Sequence, residues 1–318
     1  MLILPLISVT VAETDMSEPV PVLPDAVGGS RQALDAAVWP LSYYLDTSAG
    51  HEAPPVLLIH SVNAAASAYE IKPIYEHFQG RRTVAALDLP GYGFSARHAK
   101  RYTPDLMTAA IQAMVDHLIE TTGHSAVDVL ACSVSCEYLA RAAQARPDAY
   151  RSLALVSPSG FNRDPNEVGP RAYTRGKPWL YRLLTQSSNF ARFVFNGLAS
   201  EKSIRFFLEK TWGEKDVDPG VIDYAWKTAH QPGARHAPFS FLSGYLFSTD
   251  AADLYVDLAP PIWLAYGTKG DFTNDAVNNM LKQHAASTQQ AFNAGALPQF
   301  QQPEAFMAGY EAFLDQVG

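Results

Sequence analysis

Five short apolar runs along this chain constrain its fold more than any other feature. They are the segments 54–60 (PPVLLIH), 83–88 (TVAALD), 126–131 (AVDVLA), 152–157 (SLALVS) and 261–266 (PIWLAY). Each run is continuous, whereas a strand with one solvent-exposed face alternates apolar and polar residues. We therefore predict strands that are buried on both faces of a parallel sheet.

Helical patterns separate these runs. Thr103 and Pro104 are residue types that favour the start of a helix, and apolar residues recur at helical spacing through 107–118. Further helices are predicted over 134–145 and from Pro303 onward. This alternation of strands and helices predicts an α/β fold with a mostly parallel sheet flanked by helices.

The alternation stops between about 160 and 250, where aromatic-rich helical stretches take the place of apolar strand runs. We interpret 160–250 as an inserted helical cap, and 31–159 with 251–318 as the core that carries the sheet. Residues 1–30, which include four prolines, are predicted to form an N-terminal extension that packs on the core or is partly loose.

Charge and composition narrow the possible partners and cofactors. The 318 residues have a formal net charge of −8 and no block of Lys or Arg, so no nucleic-acid partner is expected. The only cysteines are Cys132 and Cys136, which excludes a disulfide framework, and no histidine spacing suggests a metal site. We expect no metal and no other cofactor, and no feature of the sequence specifies an oligomeric state.

The first fifteen residues are apolar, but they carry no Lys or Arg before the apolar stretch and are interrupted by Pro5. Such a segment is a poor secretory signal and is too short to span a bilayer. We therefore expect a cytoplasmic protein with no strong membrane signal.

The join between the third apolar run and the helix after it contains Ser133. In the pattern Ala131-Cys132-Ser133-Val134-Ser135, small residues stand two positions on either side of the serine. A tight strand-to-helix turn strains its central residue and needs small neighbours, usually glycines, at those positions. Ser133 is a candidate nucleophile, and a serine in an ordinary turn is the alternative.

The loop after the first run, 57–67 (LLIHSVNAAAS), lies at the same predicted sheet edge. Its small residues let backbone N–H groups point at a developing oxyanion, and the candidate donors are the amides of Val62 and Val134. The alternative is an ordinary turn with a structural histidine that is bound by backbone. The residues around these amides that we predict to line the site are His60, Ser61, Asn63 and Cys132.

Asp271 follows the run 261–266 and two glycines. A carboxylate at this position can orient a catalytic histidine and stabilise its cation. The alternatives are a turn aspartate or a helix N-cap, and Asp275 is the second candidate for the acid.

Four segments together resemble the capped, serine-nucleophile type of the α/β-hydrolase superfamily. They are LLIHS before the loop, ALDLPGYGFSAR at 86–97, ACSVS at 131–135 and PEAFMAGYEAFL near the end of the chain. The most specific is the D-x-P-G-x-G-x-S pattern from Asp88 to Ser95. The resemblance covers about 50–160 and 255–318. It implies that Ser133 is the nucleophile, that Asp271 is the triad acid and that Val62 and Val134 supply the oxyanion amides.

The resemblance also implies a histidine at position 296, where this chain has Ala296 after Gly295. A methyl group cannot accept a proton, and position 299 holds glutamine. Three explanations stay open. The histidine has been replaced, or a cap histidine such as His230 or His236 acts as base, or the reaction does not need the triad.

Aromatic residues of the cap, among them Trp179 and Phe241, are predicted to form part of the cap interior and part of an apolar pocket. The sequence therefore predicts a serine hydrolase that cleaves an ester or related carbonyl bond of a lipophilic or aromatic small molecule. The alternatives are a lyase or cyclase that lacks the triad and a non-catalytic binding protein on the same scaffold.

Overall fold

Eight strands form one sheet in the computed structural model, which describes residues 19–159, 174–186, 188–270, 281 and 287–317. Across the sheet their order is β1-β2-β4-β3-β5-β6-β7-β8. The strands are β1 (Ser30–Ala36), β2 (Trp39–Asp46), β3 (Val56–Ile59), β4 (Val84–Asp88), β5 (Val127–Cys132), β6 (Tyr150–Val156), β7 (Ile262–Gly267) and β8 (Ser287–Phe292).

The five apolar runs correspond to β3 through β7, which confirms the predicted buried strands. β3 to β8 pair in parallel, whereas β1 pairs antiparallel with β2, and β2 antiparallel with β4. Three further strands, β1, β2 and β8, were not predicted from the sequence. β1 and β8 are edge strands with several exposed polar residues, and β2 contains a proline, so none reads as a continuous apolar run.

Helices cover both faces of the sheet. They are α1 (Lys72–Phe78), α2 (Pro104–Thr122), α3 (Ser135–Ala145), α4 (Pro178–Gln186), α5 (Ser188–Ala199), α6 (Glu201–Trp212), α7 (Pro219–Ala229), α8 (His236–Leu242), α9 (Ala251–Val256), α10 (Pro298–Gln301) and α11 (Pro303–Val317). The predicted start of α2 is confirmed, because the Thr103 side chain accepts a hydrogen bond from the Leu106 amide at 3.3 Å.

Alternate residues of each central strand enter different cores. In β3, Leu57 and Ile59 pack with α2 and α3 on one face, whereas Val56 and Leu58 pack with α1 and α11 on the other. All four side chains are fully buried. Burial on both faces is the physical reason that the strand consists of apolar residues only.

We call α4 to α8, which follow β6 and precede β7, the cap helices. Their buried side chains form a third cluster that also contains Leu297 and contacts Ala65, Tyr69 and Phe300. The cap helices therefore rest on the loops that follow β3 and β8. The predicted boundaries of core and cap stay predictions, and this separate cluster supports them.

The described end of the predicted N-terminal extension contacts both the cap helices and the sheet. The Tyr224 hydroxyl and the Gln231 amide donate to the carbonyls of Pro24 and Pro21, at 2.9 and 2.8 Å. The Ala26 amide donates to the hydroxyl of Tyr44 in β2 at 3.0 Å. Within the described ranges no helix is both long and apolar enough to cross a membrane.

Candidate active site

Ser133 lies in the short turn between the end of β5 and the start of α3. Its φ angle is 54°, in the left-handed region that residues other than glycine rarely adopt. The turn is held by the Ser133 amide, which donates to the Val156 carbonyl at 2.8 Å, and by the Ser133 carbonyl, which accepts from the Cys136 amide at 3.1 Å. The serine side chain is half-buried, whereas its neighbours Cys132 and Val134 are buried.

The small residues on either side of Ser133, Ala131 and Ser135, contribute to the turn in different ways. Ala131 and Ser135 are both fully buried, so larger side chains would have no space there. The Ser135 hydroxyl donates to the His60 carbonyl at 2.7 Å, which joins the first turn of α3 to the end of β3. This bond brings the loop after β3 beside the serine turn.

The buried side chain of His60 forms hydrogen bonds to two backbone groups near this loop. Its Nε2 accepts from the Leu89 amide at 3.0 Å, and its Nδ1 lies 2.5 Å from the Ser61 carbonyl, which assigns the ring proton to Nδ1. Burial lowers the pKa of His60, which favours this neutral form, although the Glu70 carboxylate opposes the shift. Both ring nitrogens are bonded to backbone, so His60 has no free nitrogen for a ligand.

Glu70 anchors the loop after β3 and is a site residue that sequence reasoning missed. Its carboxylate accepts from the Ser61 amide and from the Asn63 side-chain amide, both at 2.8 Å. The Asn63 amide group also donates to the Ser61 hydroxyl, and Asn63 Oδ1 accepts from the Ala65 amide. Ser61 and Asn63 therefore shape the loop. No local pattern in the sequence singles out Glu70, because its bonds to Ser61 and Asn63 depend on how the loop folds.

The two candidate oxyanion donors are backbone amides, one in the loop after β3 and one directly after Ser133. Neither the Val62 amide nor the Val134 amide has a hydrogen-bond acceptor among the described residues, although both residues are buried. Buried backbone N–H groups are almost always paired, so two such groups in segments that the Ser135–His60 hydrogen bond joins form an unusual arrangement. They can donate to an oxygen atom that enters the site.

The Asp88 motif fixes the loop that borders the site from the β4 side. The buried Asp88 carboxylate accepts from the amides of Ala68 and Phe94 at 3.0 and 2.9 Å, and burial raises its pKa. Gly93 has a φ of 50°, and a Cβ atom there would lie 2.0 Å from the Asp88 carboxylate. The D-x-P-G-x-G-x-S motif therefore needs glycine at position 93. In this structure its aspartate joins two backbone segments by hydrogen bonds to the amides of Ala68 and Phe94.

Ala296 lies in the loop after β8, beneath the end of α6. Its amide donates to the Thr211 carbonyl at 2.8 Å, and its side chain is half-buried. Three residues later, the amide group of Gln299 donates to the Glu70 carbonyl at 2.9 Å and lies 4.0 Å from Cys132 Sγ. Helix α10, which follows the loop after β8, therefore reaches the residue that precedes Ser133.

Gln299 is fully buried, and its Oε1 has no hydrogen-bond partner among the described residues. From the sequence, this position was only an alternative place for a histidine. The structure places Gln299 beside the candidate site, because it joins α10 to Glu70 after β3 and lies next to Cys132 at the end of β5.

The other predicted site residues have different outcomes. Asp271 and its alternative Asp275 lie outside the described residues. Trp179 is 65% exposed on α4, whereas Phe241 is half-buried against Phe247, with ring centroids 5.1 Å apart. Pocket-lining roles for Trp179 and Phe241 stay predictions.

The two cap histidines contact other parts of the cap. His230 Nδ1 lies 2.7 Å from the Trp226 carbonyl oxygen, and the centroids of the His230 and Trp226 rings are 4.4 Å apart. His236 opens α8, and burial together with Arg235 lowers its pKa. In the described part of the chain, neither ring forms a hydrogen bond to Ser133, and no group of His, Cys, Asp and Glu side chains could hold a metal ion.

Comparisons with solved structures reproduce this architecture. An epoxide hydrolase, CorEH, is 15% identical with a TM-score of 0.69, and the match covers 91% of this chain and 99% of that one. A meta-cleavage product hydrolase from Pseudomonas fluorescens, CumD, is 16% identical with a TM-score of 0.68, covering 92% and 99%. The 2-hydroxy-6-oxo-6-phenylhexa-2,4-dienoate hydrolase of Rhodococcus is 14% identical with a TM-score of 0.68, covering 90% and 98%. At these identities the similarity establishes the fold alone.

No curated protein sequence matches the chain. A sequence model of the alpha/beta hydrolase family matches residues 56–308, which include β3 to β8, Ser133 and the loop with Ala296. With most of the chain matched and the sheet order and strand-to-helix turn described above, this protein belongs to the alpha/beta hydrolase family.

Proposed function

We propose that this protein is a serine hydrolase scaffold for an ester or related carbonyl bond of a lipophilic or aromatic small molecule. The observations that carry the proposal are the half-buried Ser133, held at a φ of 54°, and the amides of Val62 and Val134, which have no hydrogen-bond acceptor among the described residues. A strained turn presents the hydroxyl away from the backbone. Two N–H donors that point at the same place match the negative charge that develops on a carbonyl oxygen during attack.

In the proposed reaction, Ser133 Oγ attacks the carbonyl carbon while the amides of Val62 and Val134 bind the oxyanion. A serine hydroxyl is a weak nucleophile until a base accepts its proton. We assign the triad acid to Asp271 and the position of the base to 296, where alanine stands. The chain as it stands would therefore retain binding and oxyanion stabilisation but lack the proton acceptor.

The alanine also favours a second candidate function. A family member whose pocket orients a ligand and donates hydrogen bonds, without acylation, has no need of a histidine at 296. Such a protein would be a lyase, a cyclase or a small-molecule binding protein.

Restoring the base tests the hydrolase proposal. We expect Ala296→His to raise cleavage of p-nitrophenyl esters by about 10³-fold or more, because loss of a triad base removes several orders of magnitude in rate. The same variant should react with a serine-directed fluorophosphonate, and Ser133→Ala in the same background should abolish both signals. Ala291→His, on the exposed edge of β8, controls for the catalysis that any added imidazole provides.

Absence of labelling in both the unaltered chain and Ala296→His, with native circular dichroism, would exclude the serine hydrolase. Conversion of a ligand by the unaltered chain, at a rate that Ser133→Ala does not reduce, would instead favour the lyase or cyclase.

A further inference from the structure

Three consecutive cap helices expose large apolar side chains. Trp179 on α4 is 65% exposed, Phe193 on α5 is 61% exposed and Phe206 on α6 is 46% exposed. Helix α4 contacts α5, and α5 contacts α6. Leu183, Phe190 and Phe207 are also exposed on these helices. With about 150–250 Å² for each aromatic side chain, the six together expose roughly 500 Å² of apolar area over three neighbouring helices, which is comparable to the largest apolar patches of monomeric proteins.

The same helices have a second apolar face that is buried. Leu184 of α4, Phe195 of α5 and Ile204 of α6 lie in the interior cluster of the cap helices. The exposed residues are therefore additional to those that hold the cap together. Helices with apolar residues on more than one face are expected to contact a second apolar surface.

Basic side chains accompany this apolar area. Residues 174–212 contain seven Lys or Arg residues and two Glu residues, whereas the whole chain has a net charge of −8. Arg182, Arg192 and Lys202 are exposed, and none has a carboxylate partner within the described ranges. We call these three residues and the six exposed apolar residues the cap surface.

We propose that the cap surface docks on an anionic lipid surface. Exposed Trp and Phe side chains insert among lipid headgroups and acyl chains, while Lys and Arg side chains interact with the lipid phosphates. The acidic remainder of the chain would be repelled by the same surface, so the protein would approach with the cap helices first. This inference does not depend on the reaction at Ser133.

A second copy of this chain is a less suitable partner. A two-fold contact would place the cap surface of one copy against the same surface of the other, bringing the basic residues of both copies together. An anionic bilayer covers the apolar side chains and neutralises these charges as well. Docking there would also bring lipid near the candidate site, because α6 carries Phe206 and Phe207 and ends at Trp212, one residue after the Thr211 carbonyl that binds the Ala296 amide.

Co-sedimentation of the full chain with lipid vesicles tests the proposal. We expect binding to vesicles of phosphatidylcholine with phosphatidylglycerol, weaker binding to phosphatidylcholine alone, and loss of the difference at high salt. The double variant Arg182→Glu with Arg192→Glu should lower the partition coefficient about tenfold or more, since each basic residue contributes about 1 kcal/mol at such a surface. Trp179→Ser with Phe193→Ser should lower it on both kinds of vesicle.

Matched controls alter exposed residues outside the cap surface. Arg81→Glu with Lys100→Glu repeats the charge change, and Val22→Ser with Val256→Ser repeats the loss of exposed apolar side chains. Equal effects of control and cap variants would overturn the proposal, as would equal binding to the two kinds of vesicle at low salt. A dimer in sedimentation equilibrium that the cap variants disrupt, with no vesicle binding, would assign the cap surface to a second copy.

Discussion

The backbone at Ser133 combines strain and exposure in a single residue. A left-handed conformation costs a serine on the order of 1–3 kcal/mol, and the surrounding structure holds it through the Val156 carbonyl and the first turn of α3. This conformation leaves the Ser133 hydroxyl half-buried at the sheet edge. The N-terminus of α3 points towards the same region.

Replacing Ser133 with glycine tests this strain. We expect Ser133→Gly to have an unfolding free energy about 1 kcal/mol higher than that of Ser133→Ala, because glycine adopts a φ of 54° without a Cβ clash. Urea unfolding of the two variants measures the difference. A lower stability of the glycine variant would mean that the turn is not strained.

Ser133→Ala is the matched reference because it removes the hydroxyl while keeping the Cβ. The comparison therefore isolates the backbone contribution from any hydrogen bond of the side chain.

Packing between elements positions the loop that carries Ala296. At the end of β7, Gly267 lies so close to the β8 loop that a Cβ atom there would be 1.9 Å from the Gly295 carbonyl oxygen. A Cβ atom at Gly295 would in turn lie 2.1 Å from the Thr211 carbonyl oxygen of α6. Two glycines thus let the strand end, the loop and the cap helix approach one another by their backbones.

Gly267→Ala should disrupt this contact. We expect a loss of several kcal/mol in unfolding free energy, because the neighbouring atoms are backbone and cannot rotate away. Thermal and urea unfolding measure the effect. In the Ala296→His background, a fall in esterase activity larger than the fall in folded fraction would show that the loop has moved.

Gly197→Ala is the matched control for this change. Gly197 lies inside α5, and no other segment comes within 4 Å of the position that an added methyl group would take. Alanine there should therefore raise the unfolding free energy by about 0.5–1 kcal/mol. Equal effects at the two glycines would contradict the proposed backbone contact.

A buried carboxylate connects distant parts of the whole molecule. Glu137, one turn after Ser133 on α3, accepts from both the amide and the hydroxyl of Ser248, at 3.0 and 3.2 Å. Ser248 belongs to the segment that leads from the cap helices to α9 and β7. Burial raises the pKa of Glu137 to about 8, although the Ser248 bonds and the charges of Arg141 and Arg175 oppose the shift.

This shift predicts how stability changes with pH. Glu137 has a pKa of about 8 in the folded protein and near 4.5 when unfolded, so between these values the folded state holds a proton that the unfolded state releases. The contribution of Glu137 to the unfolding free energy therefore falls as pH rises from about 4.5 to about 8. Glu137→Gln, which stays neutral, should gain stability relative to the unaltered chain as pH rises.

Urea unfolding at pH 5, 7 and 9 checks this expectation, with a gain of a few kcal/mol expected at the highest pH. Glu304→Gln, at an exposed position on α11, should leave the pH dependence unchanged. A difference between Glu137→Gln and the unaltered chain that is constant with pH would mean that Glu137 is ionised in the folded protein throughout.

The amino-acid sequence by itself determined the central strands, the strand-to-helix turn at Ser133 and the start of α2. Each depends on residues close together in the chain: burial on both faces requires a continuous apolar run, a tight turn requires small neighbours, and a helix start favours Thr and Pro. The assignments of Ala296 to the position of the triad histidine and of Asp271 to the triad acid both stay predictions.

Only the tertiary structure decided which distant groups meet at the sheet edge. Glu70 and Gln299 are 229 positions apart, and no local pattern indicates that they share a hydrogen bond beside Cys132. The edge strands β1 and β8 depend in the same way on pairing with neighbours rather than on their own composition. For the cap aromatics, periodicity shows that the helices are amphipathic, but whether a face is buried or exposed depends on what packs against it, which is a property of the assembled fold.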